Sequence, residues 1–105
     1  MNKCYFVGKL KYPTVLSQEN GVDVINFSLE IEEFRRNKNG QKTRDVNTLY
    51  FEAWDTAATT IHQKLNVGDL MLVECVARSI KWENDSCYFR ITYFKIINNC
   101  EYIDD

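Results

Sequence analysis

Two period-2 apolar runs on either side of an Asn-Gly turn restrict the fold of this chain more than any other feature. From Val22 to about Arg36, Phe27, Leu29 and Ile31 alternate with Ser28, Glu30 and Glu32, the pattern of a strand with one buried face. Asn39 and Gly40 supply a turn. On the return, Leu49, Phe51 and Ala53 fall on one face while Tyr50, Glu52 and Trp54 fall on the other. This predicts a long hairpin whose tip, Arg35 to Arg44, protrudes, with aromatic rings on the side opposite its core.

The flanking segments extend the β pattern. KCYFVGKL, from Lys3 to Leu10, reads as a strand interrupted by Gly8, as at a bulge or tight bend. The next stretch holds the only proline, Pro13, and ends in Asn20 and Gly21, a turn pair that predicts a hairpin. Asp55 or Thr56 can cap a helix running through AATTIHQKL and ending at Asn66 to Gly68. Asp69 then opens the β-rich run LMLVECVARSIKW, Glu83 to Ser86 form a polar turn, and CYFRITYFKII is a last strand. Three strands, a helix and two strands is the order of an all-β OB-fold, a five-stranded Greek-key barrel with one short helix between strands 3 and 4. At 105 residues the chain is one domain, able to bury about two-thirds of its unfolded surface. The domain is expected over residues 1–97, followed by a short acidic tail over 98–105.

Several function classes are disfavoured. No apolar run approaches the ~20 residues of a membrane span, and no secretory signal pattern opens the chain, so a soluble cytoplasmic protein without a membrane partner is expected. Cys4, Cys75, Cys87 and Cys100 form no CxxC pair, which points to buried free thiols rather than zinc or redox chemistry. His62 lies on the helix without a partner at ligand spacing and reads as a surface or capping histidine. Paired carboxylates, a nucleophile with its base and a phosphate-cradling glycine loop are all lacking at usable spacing. Neither catalysis nor a cofactor or metal is expected.

Binding is the better reading. The net charge is −2, but RRNKNGQKTR holds Arg35, Arg36, Lys38, Lys42 and Arg44 with no acid among them; Glu30, Glu32 and Glu33 precede it. The alternative for this run is a solvated hairpin tip. Aromatics beside cations suit a flat anionic ligand, of which single-stranded nucleic acid is the commonest, because bases stack on rings while phosphates pair with Lys and Arg. Trp54 and Trp82 are the leading stacking candidates, with Tyr50, Phe34 and Tyr88 secondary. Tyr88 reads equally as core, and Phe27, Phe51, Phe89 and Phe94 are assigned to the core. Lys9, Arg78, Lys81 and Arg90 join the five cations of the tip as phosphate candidates.

With those residues placed, the chain resembles the bacterial and phage single-stranded DNA-binding protein family. The resemblance rests on NKCYFVGKL, on Pro13 followed by GVDVINFSLE, on NGQ at Asn39 to Gln41, on EAWDTAA, on LNVGDLMLVE and on KWEND, in the family's order from about Asn2 to Ile97. It implies that aromatics on an exposed face stack on bases. Trp54 and Trp82 match such positions, and Phe34 lies within one residue of another, its face depending on whether a bulge intervenes. Thr48 stands where the family usually has an aromatic, and Cys75 replaces a common glycine. EYIDD is acidic but far shorter than the family's acidic tail, through which replication proteins are recruited. The resemblance further implies coating of single-stranded DNA in replication, recombination and repair. It also implies a homotetramer, or a dimer, built through the first strand at Lys3, Tyr5, Phe6 and Val7. The alternative is an OB-fold replication or primosome accessory protein acting through protein contacts.

Overall fold

The long ribbon forms as the alternation requires. In the computed structural model, which describes residues 1–79 and 87–97, the elements are β1 (Cys4–Leu10), β2 (Val15–Glu19), β3 (Val22–Arg36), β4 (Lys42–Trp54), α1 (Thr56–Lys64), β5 (Leu70–Ser79) and β6 (Cys87–Ile97). β3 and β4 pair without a register shift from Val24↔Trp54 to Arg36↔Lys42. At the tip, Gly40 takes the left-handed conformation, and the Asn37 carboxamide oxygen accepts the backbone N–H groups of Asn39 and Gln41 at 2.9 and 3.0 Å.

The sheet order is β1-β5-β6-β4-β3-β2, and β1 also pairs with β3 at Lys9↔Glu30 and Leu10↔Leu29. That second pairing closes a circuit of five strands, β1-β5-β6-β4-β3, which with α1 between β4 and β5 is the OB-fold. The parallel contact between β4 and β6 is short, Phe51↔Phe89 and Glu52↔Arg90. Gly8 makes the closure possible. A Cβ at this position would lie 2.6 Å from Ile31 Cδ1 and 2.8 Å from Leu29 Cβ, so only a residue without a side chain lets β1 cross from β5 to β3. β2 lies outside the circuit, paired along the first residues of β3. All five of its residues are exposed, so it has no buried face for alternation to reveal, and it adds a sixth strand to the five read from sequence.

The barrel interior holds Leu10, Ile25, Phe27, Leu29, Phe51, Met71, Val73, Phe89 and Ile91, with Ala58 and Ile61 of α1 among them. Phe27, Phe51 and Phe89 are core as assigned, and Phe94 packs half-buried against them. A bulge at Thr92, between Glu74↔Tyr93 and Cys75↔Ile91, turns Tyr93 outward although its parity matches buried Phe89 and Ile91. The helix lacks the side-chain cap expected of Asp55 or Thr56. Asp55 occupies the N-cap position at φ 60° and makes no capping hydrogen bond, whereas a capping side chain ordinarily needs extended backbone; its N–H instead bonds the Asp23 carbonyl at 2.7 Å. His62 Nδ1 is 2.6 Å from the Thr14 hydroxyl.

The thiols depart from the expectation of uniform burial. Cys75 is buried, Cys4 partly buried and Cys87, the first residue of β6, exposed. Burial pushes the Cys75 thiol up to about 12. Trp82, Lys81, Cys100, the polar turn at Glu83 to Ser86 and the acidic tail lie outside the described residues. Among the described residues, no helix is long and apolar enough to cross a membrane.

Candidate nucleic-acid interface

The unbroken β3–β4 register sets the geometry of the site. Even-numbered residues of both strands share one face, so Trp54, Tyr50 and Phe34 lie along a single side of the ribbon together with Arg36, Lys42 and Arg44. No bulge intervenes at Phe34. Its ring is 56 % exposed, and the Lys42 ammonium sits 4.6 Å from its centroid. Tyr50 is 62 % exposed. β6 extends this face: Arg90 is in register with Glu52, and Tyr88 with Arg78 of β5.

Trp54 is less open than an outward residue at a strand end should be. It is half-buried, and its cross-strand neighbour Val24 is fully buried. Its indole Nε1 donates to Glu52 Oε1 at 2.7 Å, and Arg90 Nε donates to the same oxygen at 2.8 Å. The Arg90 guanidinium carbon lies 5.3 Å from the indole centroid, within cation–π range. One carboxylate therefore orients both the ring and the cation that partly covers it.

The basic tip carries less free charge than its sequence suggests. Cross-strand pairing brings in acids that adjacency hides: Arg44 bonds Glu32, and Arg35 Nε donates to Asp45 Oδ2 at 2.7 Å. The Arg44 guanidinium holds the Glu32 carboxyl below the usual glutamate range, and the carboxylates of Asp45 and Glu32 in turn raise Arg35 and Arg44. Arg35 is odd-numbered and in register with Thr43, so it projects from the side of the ribbon opposite Trp54 and Tyr50. Arg36 Nη1 donates to the Gly40 carbonyl at 2.8 Å. Lys9 is in register with Glu30 and shares a groove with Phe34 and Arg44. Lys38 and Arg78 make no ion pair among the described residues. The Arg35–Asp45 and Arg44–Glu32 ion pairs are exposed, so solvent screens them and each holds its cation only weakly.

A second feature of this face has no counterpart in the sequence reading. Tyr12, from the loop after β1, converges with Tyr50 and Tyr88 on a shallow groove of about 360 Å³ that Asn26 and Ser28 also line. Tyr12 is 62 % exposed. Its segment has no periodicity, and the connection between β1 and β2, not any local pattern, carries it to β4 and β6.

At the first strand, Tyr5 and Val7 point outward and are exposed. Lys3 forms an ion pair with Glu74 at 3.7 Å. The Phe6 ring faces inward, 5.1 Å from Phe89 and 6.0 Å from Phe51 between centroids, because it alternates with the outward Tyr5 and Val7.

The sequence profile of the single-strand binding protein family matches residues 1–100. No curated protein matches the chain. Among solved structures, a deletion mutant of the single-stranded DNA binding protein of Thermus aquaticus superposes with a TM-score of 0.84 at 16% identity, over 94% of this chain and 51% of that one. This chain thus spans about half the length of that relative. The small single-stranded DNA-binding protein of Streptomyces coelicolor gives a TM-score of 0.72 at 16% identity, over 94% of both chains. The Plasmodium falciparum SSB, solved in complex with ssDNA, gives 0.76 at 21% identity, over 93% of this chain and 94% of that one.

Proposed function

Because the chain belongs to the single-strand binding protein family, we propose that it binds single-stranded DNA, stacking bases on Trp54, Tyr50, Phe34 and Tyr88 while Arg36, Lys42, Arg44, Arg78 and Arg90 pair with phosphates. The observation that carries this reading is the continuous face on which three aromatic residues and three cations of one ribbon lie together. Stacking tolerates any base, since every base has a π face, and the role that follows is coating and protecting exposed strands in replication, recombination and repair. Trp82 and Lys81 belong to the same proposal through their match to the family's fourth strand. The molecule acts by binding rather than catalysis.

Self-association belongs to the same reading. The β1 edge from Cys4 to Gly8 that faces away from β5 has no strand partner among the described residues, and Tyr5 and Val7 lie exposed on that strand. An apolar edge of this kind favours pairing with a second copy, toward a dimer or tetramer. Sedimentation of the free protein tests this part, and a clean monomer would refute it.

Fluorescence titration with oligo(dT) tests the binding itself. Trp54→Ala and Tyr50→Ala are each expected to weaken binding by about 1–3 kcal/mol. Wild-type affinity in both variants would remove stacking on this face from the mechanism.

A further inference from the structure

The connection between β1 and β2 carries Tyr12 and Pro13 into the groove they share with Tyr50 and Tyr88, yet its own backbone does not hold it there. Among the described residues, residues 11–14 make no backbone-to-backbone hydrogen bond. Side chains hold the segment instead, one at each end. The Lys11 ammonium pairs with Glu30 at 3.2 Å and lies 5.9 Å from the Tyr12 ring centroid. Both partners of that ion pair keep access to solvent, so this tether is weak. At the other end, the Thr14 hydroxyl lies 2.6 Å from His62 Nδ1. His62 stands on a fixed support, because α1 is seated on the barrel by Ala58 and Ile61, both fully buried. A hydrogen bond from a packed helix to a segment without backbone support therefore sets where that whole segment stands.

We propose that His62 is a positioning residue for strand binding: through Thr14 it holds residues 11–14 so that the Tyr12 ring stands as the third wall of the groove and meets a base of the bound strand. The proposal rests on the single-strand binding reading. It adds to that reading a contact from outside the barrel strands, Tyr12, and a residue that acts on the bound strand only through another. His62 lies on α1, whereas the described stacking and phosphate candidates lie on strands or at the hairpin tip. A ring already in place loses little freedom when a base arrives, so anchoring the segment raises affinity without adding a contact.

The test is a double-mutant cycle read by fluorescence-anisotropy titration of labelled oligo(dT) at one salt concentration. Tyr12→Ala is expected to weaken binding about fivefold. His62→Ala and Thr14→Val each remove one partner of the hydrogen bond and should each weaken binding about threefold. Thr14→Ser, which keeps the hydroxyl, and His62→Asn, whose carboxamide reaches as far as Nδ1, should restore wild-type affinity. The deciding quantity is the coupling between sites. In the Tyr12→Ala background His62→Ala should cause no further loss, while in the Trp54→Ala background it should cause the same loss of about threefold. A His62→Ala effect that persists in the Tyr12→Ala background would reflect a general loss of structure and overturns the positioning role. Wild-type affinity in His62→Ala or in Tyr12→Ala overturns it as well, and strand binding stands in each of these cases. Failure of the wild type to bind oligo(dT) overturns both readings together.

Discussion

Glu52 places a negative charge beside Trp54 on the face that also carries Glu30 and Glu32. Its carboxylate accepts from the Trp54 indole and from Arg90, fixing the ring while occupying a cation. Glu52→Gln keeps an oxygen for the indole and removes the charge that holds Arg90. Tighter binding at low salt is expected, together with a log affinity against log salt slope steeper by about 0.7, the increment for one more neutralised phosphate on a single strand. A slope equal to wild type would show that Arg90 does not reach the backbone. That Glu52 lies beside Trp54 was foreseeable, since strand parity puts the two on one face. That it meets Arg90 was not, because β4 and β6 meet only through barrel closure.

Among the elements, β1 depends on Gly8 and the hairpin on its cross-strand pairs. Gly8→Ala drives a methyl into Leu29 and Ile31 where β1 crosses β3. A loss of about 1–3 kcal/mol, typical of overpacking, is expected in urea unfolding, and an unchanged midpoint would refute the close approach. In the hairpin, Arg44 lowers the Glu32 carboxyl. A depressed folded-state value means that the pair contributes in full above the ordinary glutamate pKa of about 4.3 and is lost as the pH falls through the depressed value. An NMR titration should find the Glu32 midpoint below that of ordinary glutamates, and Arg44→Ala should restore it. No change on that substitution would mean that the ion pair does not persist in solution. The two ribbon strands were legible because one face is buried and period 2 follows. β2 and the bulge at Thr92 were not, the first for want of a buried face and the second because a single extra residue leaves composition unchanged.

Across the whole molecule, charge is divided between the two sides of one ribbon. Arg36 and Lys42 share a face with Tyr50 and Trp54, while Arg35 projects from the other side against Asp45. Arg36→Ala and Lys42→Ala should each reduce the magnitude of the salt slope for oligo(dT) by about 0.7; Arg35→Ala should leave it unchanged. Equal effects of all three would mean that the strand does not follow a single face. This division cannot be read from RRNKNGQKTR, where the five cations are simply adjacent.

The sequence by itself determined the five barrel strands and the helix between them, the burial of Phe27, Phe51 and Phe89 and the outward direction of Trp54 and Tyr50, because alternation and turn chemistry are local and act through near neighbours in the chain. Phe34 shows the limit of that reasoning, since its face depended on an uninterrupted register that only the assembled ribbon supplies. Only the tertiary structure decided that Glu52 meets Arg90 and that Tyr12 joins Tyr50 and Tyr88 in one groove. These contacts join segments tens of residues apart, and they arise from closing the barrel through β1 and β6, a step to which no short stretch of sequence is sensitive.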